Sequence, residues 1–214
     1  MRLRTLAVGP LSCTCSIVAC AQTGEAAVVD PGGDAGEILA EVARMGVTVK
    51  FVLHTHGHFD HIMGTHVVAA ATGAQVLLHR DDAALYERLP AQSRAFGFWA
   101  EPPPAVSRWL TGGERLVIGK LIAEVVHTPG HTCGGVGYFF AEPAPLLLAG
   151  DTLFCESVGR TDLPGGSSTD LAKSIREKLF TLPGATRVVP GHGPETTIEH
   201  ERQWNPFVRP LPTG

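Results

Sequence analysis

The chain has 214 residues, 44% of them hydrophobic and 18% charged, with a formal net charge of −4. That suits one globular domain with a sizeable core, and no apolar run approaches the ~20 residues needed to cross a bilayer. No Lys/Arg cluster marks a nucleic-acid or anionic-membrane surface, so neither partner is expected.

At the N-terminus, MRLR and an apolar stretch ending in Ile17-Val18-Ala19-Cys20 have the outline of a lipoprotein signal. Gly9, Pro10, Ser12, Thr14 and Ser16 interrupt that stretch, which predicts two strands instead, Leu3–Val8 and Cys15–Ala21, with a Gly-Pro turn between them and Cys20 unmodified. Cys13, Cys15, Cys20, Cys133 and Cys155 are odd in number and lack C-x-x-C spacing. Reduced thiols in a cytoplasmic protein are therefore expected, rather than a disulfide framework or a zinc knuckle.

After AAVVD and the loop PGG, a helix is predicted from Asp34, with Ile38, Leu39, Val42 and Met45 on one face and Gly46 past its end. The strand VKFVL leads into HTHGHFDH, four histidines and an aspartate in eight residues. A helix rich in Ala and Val ends near Gly73, the strand QVLLH follows, and a helix is predicted from Asp81 to Leu89. PAQSRAFGFWAEPPPAVSRW is the least regular stretch, predicted as a loop whose aromatics pack or line a cleft. The second half resumes with ERLVIGKLIAEVVHT, a hairpin turning at Gly119-Lys120, and the strands VGYFF and LLLAG. A helix over Thr169–Leu182 with Leu171, Ile175 and Leu179 inward, the strand RVVP and a short helix before Pro206 complete the order. Strands first, then strand–helix alternation in each half, fit two sheets packed face to face with helices on both outer faces.

The polar residues that follow apolar strands carry the chemistry. VKFVL precedes His56, His58, Asp60 and His61; LIAEVVHTPGH brings His131; LLLAGD brings Asp151; RVVPGHG brings His192. Such strand ends cluster along one edge of a sheet, where a rigid core holds ligands and loops leave a position open. His56 and His58, two apart around Gly57, can bite one metal from the same side. Asp60 and His61 suit a second ion, and a single carboxylate such as Asp151 can bridge both. Two divalent ions about 3.5 Å apart can share a water, lower its pKa and polarise the carbonyl it attacks. Imidazole and carboxylate donors favour zinc, iron or manganese. His54, His66, His79, His127 and His200 fall outside the pattern as surface or supporting residues, with His127 the best placed to support a ligand.

The ordered set THGHFDH, HTPGHT, AGDTLF and PGHGP, with Asp30 in VVDPGG, resembles the metallo-β-lactamase superfamily. The resemblance covers nearly the whole chain. It implies an αββα sandwich in which His56, His58 and His131 hold one ion, Asp60, His61 and His192 the other, and Asp151 lies between them. Asp60 and Asp151 are then the carboxylates on which catalysis turns, and zinc is the favoured metal, with iron or manganese as alternatives.

Leu89–Gly97, GRTDLPGG at 159–166 and the ending GHGPETTIEHERQWNPF resemble the short, single-domain bacterial type of glyoxalase II, or hydroxyacylglutathione hydrolase. That resemblance implies hydrolysis of a small-molecule thioester such as S-lactoylglutathione. A monomer or homodimer is expected. A single domain over 1–214, without the C-terminal helical domain of standard glyoxalase II, is expected. Gly159-Arg160-Thr161-Asp162 stands where that family has a Gly-Lys-Phe-Tyr-like segment, and Pro194 where it has a tyrosine. Arg160 is expected to meet a substrate carboxylate, because its planar fork can bond one bidentately. The alternatives are a persulfide dioxygenase, resembled at GRTD, with one iron on His56, His131 and Asp151, or another esterase or lactonase of this fold. A class B1 β-lactamase would carry cysteine at the Asp151 position.

Overall fold

The strands fall into two sheets made from successive halves of the chain. The computed structural model describes residues 1–208. In the first sheet, β1 (Arg2–Val8), β2 (Cys13–Ala19), β3 (Glu25–Val29), β4 (Thr48–Leu53), β5 (Gln75–His79) and β6 (Arg108–Leu110) lie in chain order. β1 to β3 pair antiparallel and β3 to β6 parallel, so the sheet is mixed. The second half supplies β7 (Arg115–Ile118), β8 (Leu121–His127), β9 (Val136–Phe140), β10 (Leu146–Gly150), a short hairpin of β11 (Leu153–Phe154) and β12 (Ser157–Val158), then β13 (Arg187–Pro190) and β14 (Thr196–Thr197). The second sheet is ordered β14-β13-β10-β9-β8-β7, and its one parallel pair is β10 with β13.

The helices are α1 (Ala35–Met45), α2 (Phe59–Ile62), α3 (Thr65–Thr72), α4 (Ala83–Glu87), α5 (Leu89–Ala95), α6 (Ser168–Glu177) and α7 (Ile198–Trp204). Three apolar layers follow from the two-residue period of the strands. Ile17 and Val28 face outward onto Ile38 and Val42 of α1 and Val68 of α3. Their neighbours Val18 and Ala27 face inward, meeting Val125, Tyr138 and Leu148 of the other sheet. Leu147 and Val188 turn to the far side, against Leu171 and Ile175 of α6 and Ile198 of α7. This is the αββα sandwich. Each fully buried Leu, Ile or Val contributes roughly 1.5–3 kcal/mol, so the central strands, apolar on both faces, anchor the loops at their ends.

Local differences from the sequence reading have physical causes. The first two strands extend over Arg2–Val8 and Cys13–Ala19, ending before Cys20. In α1, Ile38, Val42 and Met45 are buried as expected, but Leu39 is half-buried and Glu41 is buried beside Arg4 and Arg44. The helix predicted over 81–89 is a 3-10 turn at Arg80–Asp82 followed by α4, and it breaks at Arg88. Pro90, lacking an N–H, starts a new helix more readily than it continues one. The irregular stretch therefore contains α5, and it also contributes the edge strand β6. α6 starts where Ser167 accepts from the Asp170 N–H and ends at Glu177, with a 3-10 turn covering Leu179–Thr181. Among the described residues no helix is long and apolar enough to cross a membrane.

Candidate metal centre

The carboxyl ends of β4, β8, β10 and β13 open on one edge of the sandwich, and their loops bring seven side chains together. Ligating atoms of His56, His58 and His131 lie within 4.8 Å of one another, as do those of Asp60, His61 and His192. A third such group, His56, His61 and Asp151, joins the first two. His58 Nδ1 is 2.9 Å from His131 Nε2, and His61 Nε2 is 3.3 Å from His192 Nε2. The Asp151 carboxylate spans the sets, with Oδ1 3.3 Å from His61 Nε2 and Oδ2 3.6 Å from His131 Nε2. Asp60 Oδ2 lies 3.2 Å from His192 Nε2.

Contacts behind the rings decide which nitrogen faces inward. His131 Nδ1 donates to the Arg160 carbonyl at 2.7 Å, and His192 Nδ1 donates to the Leu11 carbonyl at 3.2 Å. His61 Nδ1 is 3.1 Å from Asp30 Oδ2. The Thr55 hydroxyl donates to Asp30 at 2.6 Å, so it accepts from His56 Nδ1 at 3.0 Å. Four rings thus aim Nε2 at the centre, whereas His58 presents Nδ1; such contacts fix tautomer and raise ligand basicity. Asp30, at φ 52 and buried, also accepts from the Thr55 N–H at 2.7 Å.

Asp82 is a second buried organiser, and sequence reasoning missed it. It accepts from the Gly57 N–H at 2.8 Å, the Thr132 hydroxyl at 2.8 Å and the Gly134 N–H at 2.6 Å. One carboxylate therefore ties the His56–His58 loop to the His131 loop. The only signal was an Asp-Asp pair just after a strand. Close backbone approach completes the frame: a Cβ on Gly191 would sit 2.1 Å from Asp151 Oδ1.

The residues fit a pair of divalent cations. His56 Nε2 and Asp151 Oδ1 are buried with no hydrogen-bond partner. His56 has already given its one proton to Thr55, so its inner nitrogen is a bare lone pair. Leaving such acceptors buried and unmatched costs about 1–3 kcal/mol each, more for a charged group, and a cation removes that cost. Burial pushes the His56 pKa well below the ordinary value and that of His58 down to about 3, with neighbouring imidazoles adding to both shifts. Burial alone would raise the Asp151 carboxyl, yet His61, His131 and His192 hold it well below the usual carboxylate range. His56 and His58 are thus held neutral beside an ionised Asp151, the forms that bind metal. At His61 and His192 burial is outweighed by the pull of Asp60 and Asp151, which raises the pKa, so a cation arriving there would displace a proton.

A cavity of about 710 Å³ opens over this cluster, reaching His58, Asp60, His131, Asp151 and His192. Phe59, Phe96, Phe154 and Leu163 supply apolar wall, and Arg88 and Arg160 supply cations. Phe59 stacks on Phe96 with ring centroids 4.9 Å apart, so part of the stretch read as irregular does line the cleft. The Arg160 guanidinium grips Asp162 through two bonds of 2.7 Å, while its main chain supports His131. Two other histidines differ from expectation. His54 is fully buried, with Nε2 3.2 Å from the Thr65 hydroxyl. His127 supports no ligand ring; it stacks on His79 at 4.2 Å and donates to the Cys133 carbonyl at 3.0 Å.

The family model described as the metallo-beta-lactamase superfamily matches residues 8–192. A Bacillus subtilis protein described as a probable metallo-hydrolase is 35% identical, over 97% of this chain and 98% of its own length. A hydroxyacylglutathione hydrolase of Haemophilus influenzae is 35% identical, over 86% of this chain and 87% of its own. Among solved structures, the B3 metallo-beta-lactamase BLEG-1 is similar with a TM-score of 0.90 at 36% identity, covering 100% of both chains. A protein crystallised in a di-iron-bound form gives 0.88 at 37% identity, covering 95% of this chain and 99% of that one.

Proposed function

The chain belongs to the metallo-β-lactamase superfamily, and we propose that within it the protein hydrolyses acyl thioesters, S-lactoylglutathione among them, at a two-metal centre. That it is a metal-dependent hydrolase with a histidine-rich site follows from the family, the relatives and the ligand cluster. Zinc is our proposed metal; the di-iron relative keeps iron, and the donor set manganese, as alternatives. A cytoplasmic setting belongs to the same reading, and all five cysteines are free.

One observation carries the choice of thioester. Apart from the metal ligands, the cavity lining among the described residues holds no Tyr, Lys, Glu, Asp or His that could hand a proton to a leaving group. An alkoxide or amine leaves poorly without one, whereas a thiol of pKa about 8.5 departs as the thiolate. The Haemophilus relative, named for a glutathione thioester hydrolase, agrees with that preference.

His56, His58 and His131 would hold one ion, Asp60, His61 and His192 the other, and Asp151 both. Two divalent ions there would supply Lewis acidity, which lowers the pKa of a water toward neutrality and polarises a carbonyl. Asp151 keeps both carboxylate oxygens turned into the centre because His61 and His131 flank them. Asp60 lines the cavity floor, where its carboxylate can accept the proton of the attacking water. Phe59, Phe96 and Phe154 hold the apolar part of the substrate and exclude bulk water, which strengthens each charge interaction within. Arg160 is proposed to bond a substrate carboxylate once Asp162 yields it.

The test is metal analysis of purified protein alongside S-lactoylglutathione hydrolysis. We expect two ions per chain, activity abolished by chelation, and loss of most of both metals in Asp151→Ala. One iron per chain with oxygen consumption would instead establish the dioxygenase. Full metal occupancy in Asp151→Ala would remove Asp151 as the bridge.

A further inference from the structure

We propose that Arg88 selects substrates whose thiol half carries a carboxylate; the inference deepens the thioester reading above and rests on it. Arg88 sits at the break between α4 and α5, is exposed, and lines the cavity that reaches the metal ligands. Its backbone is fixed. The Arg88 N–H donates to the Leu85 carbonyl at 3.1 Å, and its own carbonyl accepts from the Ala91 and Gln92 N–H groups, both at 2.9 Å. Gln92 pins the segment to the histidine loop, donating from Nε2 to the Gly57 carbonyl at 3.0 Å and the Leu85 carbonyl at 2.7 Å. The base of the side chain is therefore held in register with the centre.

The guanidinium has no such engagement. Among the described residues the arginines in ion pairs are Arg4, Arg44, Arg108, Arg160 and Arg187, and Arg88 is not one of them. The cavity's own carboxylates, Asp60 and Asp151, belong to the metal cluster, and Asp162 is taken by Arg160. Among the described residues, Arg88 is the arginine without an ion pair that lines this cavity, so its guanidinium is open to a carboxylate that arrives with the substrate. Arg160 has to break a two-bonded pair before it can serve an anion, whereas Arg88 gives up only water. A carboxylate bound bidentately by such a fork also gains geometric specificity. The peptide thiol of S-lactoylglutathione, with two free carboxylates, has the required chemistry; a neutral acyl thioester does not.

The experiment compares wild type, Arg88→Ala, Arg88→Lys and Arg160→Ala as metal-loaded proteins on S-lactoylglutathione and on a neutral lactoyl thioester of N-acetylcysteamine. The readout is the ratio of the two kcat/KM values. It should fall about tenfold in Arg88→Ala, the size of one charge-assisted contact, through KM rather than kcat. It should recover in part with lysine, and fall less in Arg160→Ala. An unchanged ratio in Arg88→Ala overturns the proposal. Titration with S-methylglutathione, which cannot be hydrolysed, separates this from the reaction itself. If wild type hydrolyses neither thioester, the thioester reading fails. Arg88 then stands only if S-methylglutathione binds wild type about tenfold more tightly than Arg88→Ala, and falls if binding is equal or absent.

Discussion

Replacing Asp82 with asparagine tests whether one buried carboxylate aligns two metal-binding loops. Oδ2 takes the Gly57 N–H and the Thr132 hydroxyl, and Oδ1 takes the Gly134 N–H. An amide has one oxygen. In its best orientation it keeps the first two bonds and turns its NH2 against the Gly134 N–H. One charge-assisted bond is lost and two donors face each other in a buried site, a cost of about 2–3 kcal/mol. Part of this is offset, because burial raises the Asp82 pKa and a neutral amide escapes that desolvation. A net loss of about 2 kcal/mol lowers Tm by roughly 4–8 °C in a chain of this length. The greater effect should fall on metal affinity, about 10- to 100-fold, because Gly57 separates His56 from His58 and Gly134 follows the His131 turn. Calorimetry of the metal-free protein measures the first number, and competition with a chromophoric chelator the second. A Tm within about 1 °C of wild type together with unaltered metal affinity would refute the argument.

Gly191→Ala should fold yet bind metal poorly, since its methyl would stand 2.1 Å from Asp151 Oδ1; normal metal stoichiometry by elemental analysis would contradict that. Burial, and then His127 beside it, lower the His79 pKa against the pull of Asp81 and Asp82. A lowered folded-state pKa means that this stability is present above the ordinary histidine value of about 6.5 and is lost as pH falls through the folded value. The urea midpoint of the metal-free protein should therefore decline on acidification, and less steeply in His79→Gln; parallel curves would remove His79 as a contributor.

The strands were legible where both faces are buried, since LLLAG and RVVP leave little but a sheet interior as their place. The seven clustered side chains were legible for a related reason. Each lies in the loop at the carboxyl end of an apolar strand, so local order carries the three-dimensional arrangement, even after β8, which is buried on one face only. β6 was not, because its three residues belong to the sheet only through pairing with β5. Nor was the hairpin of β11 and β12, two residues a side. The contacts behind the ligands were hidden because they join positions far apart: Asp82 reaches Gly134, and the Leu11 carbonyl meets His192. His127 shows the converse, a histidine at a strand end whose nearest ring is His79 on the other sheet.

Each sheet comes from one continuous half of the chain, and the exposed turn at Gly112 and Gly113 lies between them. Neither half holds a complete set of ligands. His56, His58, Asp60 and His61 belong to the first, and His131, Asp151 and His192 to the second. A polypeptide cut between Gly112 and Gly113 would give two fragments, each able to hold an ion only weakly. Ions bind the rejoined pair far better than either piece, and mass action transfers that preference to reassembly. Fragment complementation should thus be switched by metal, and the ion concentration at half-recombination would measure how strongly the centre rivets one sheet to the other.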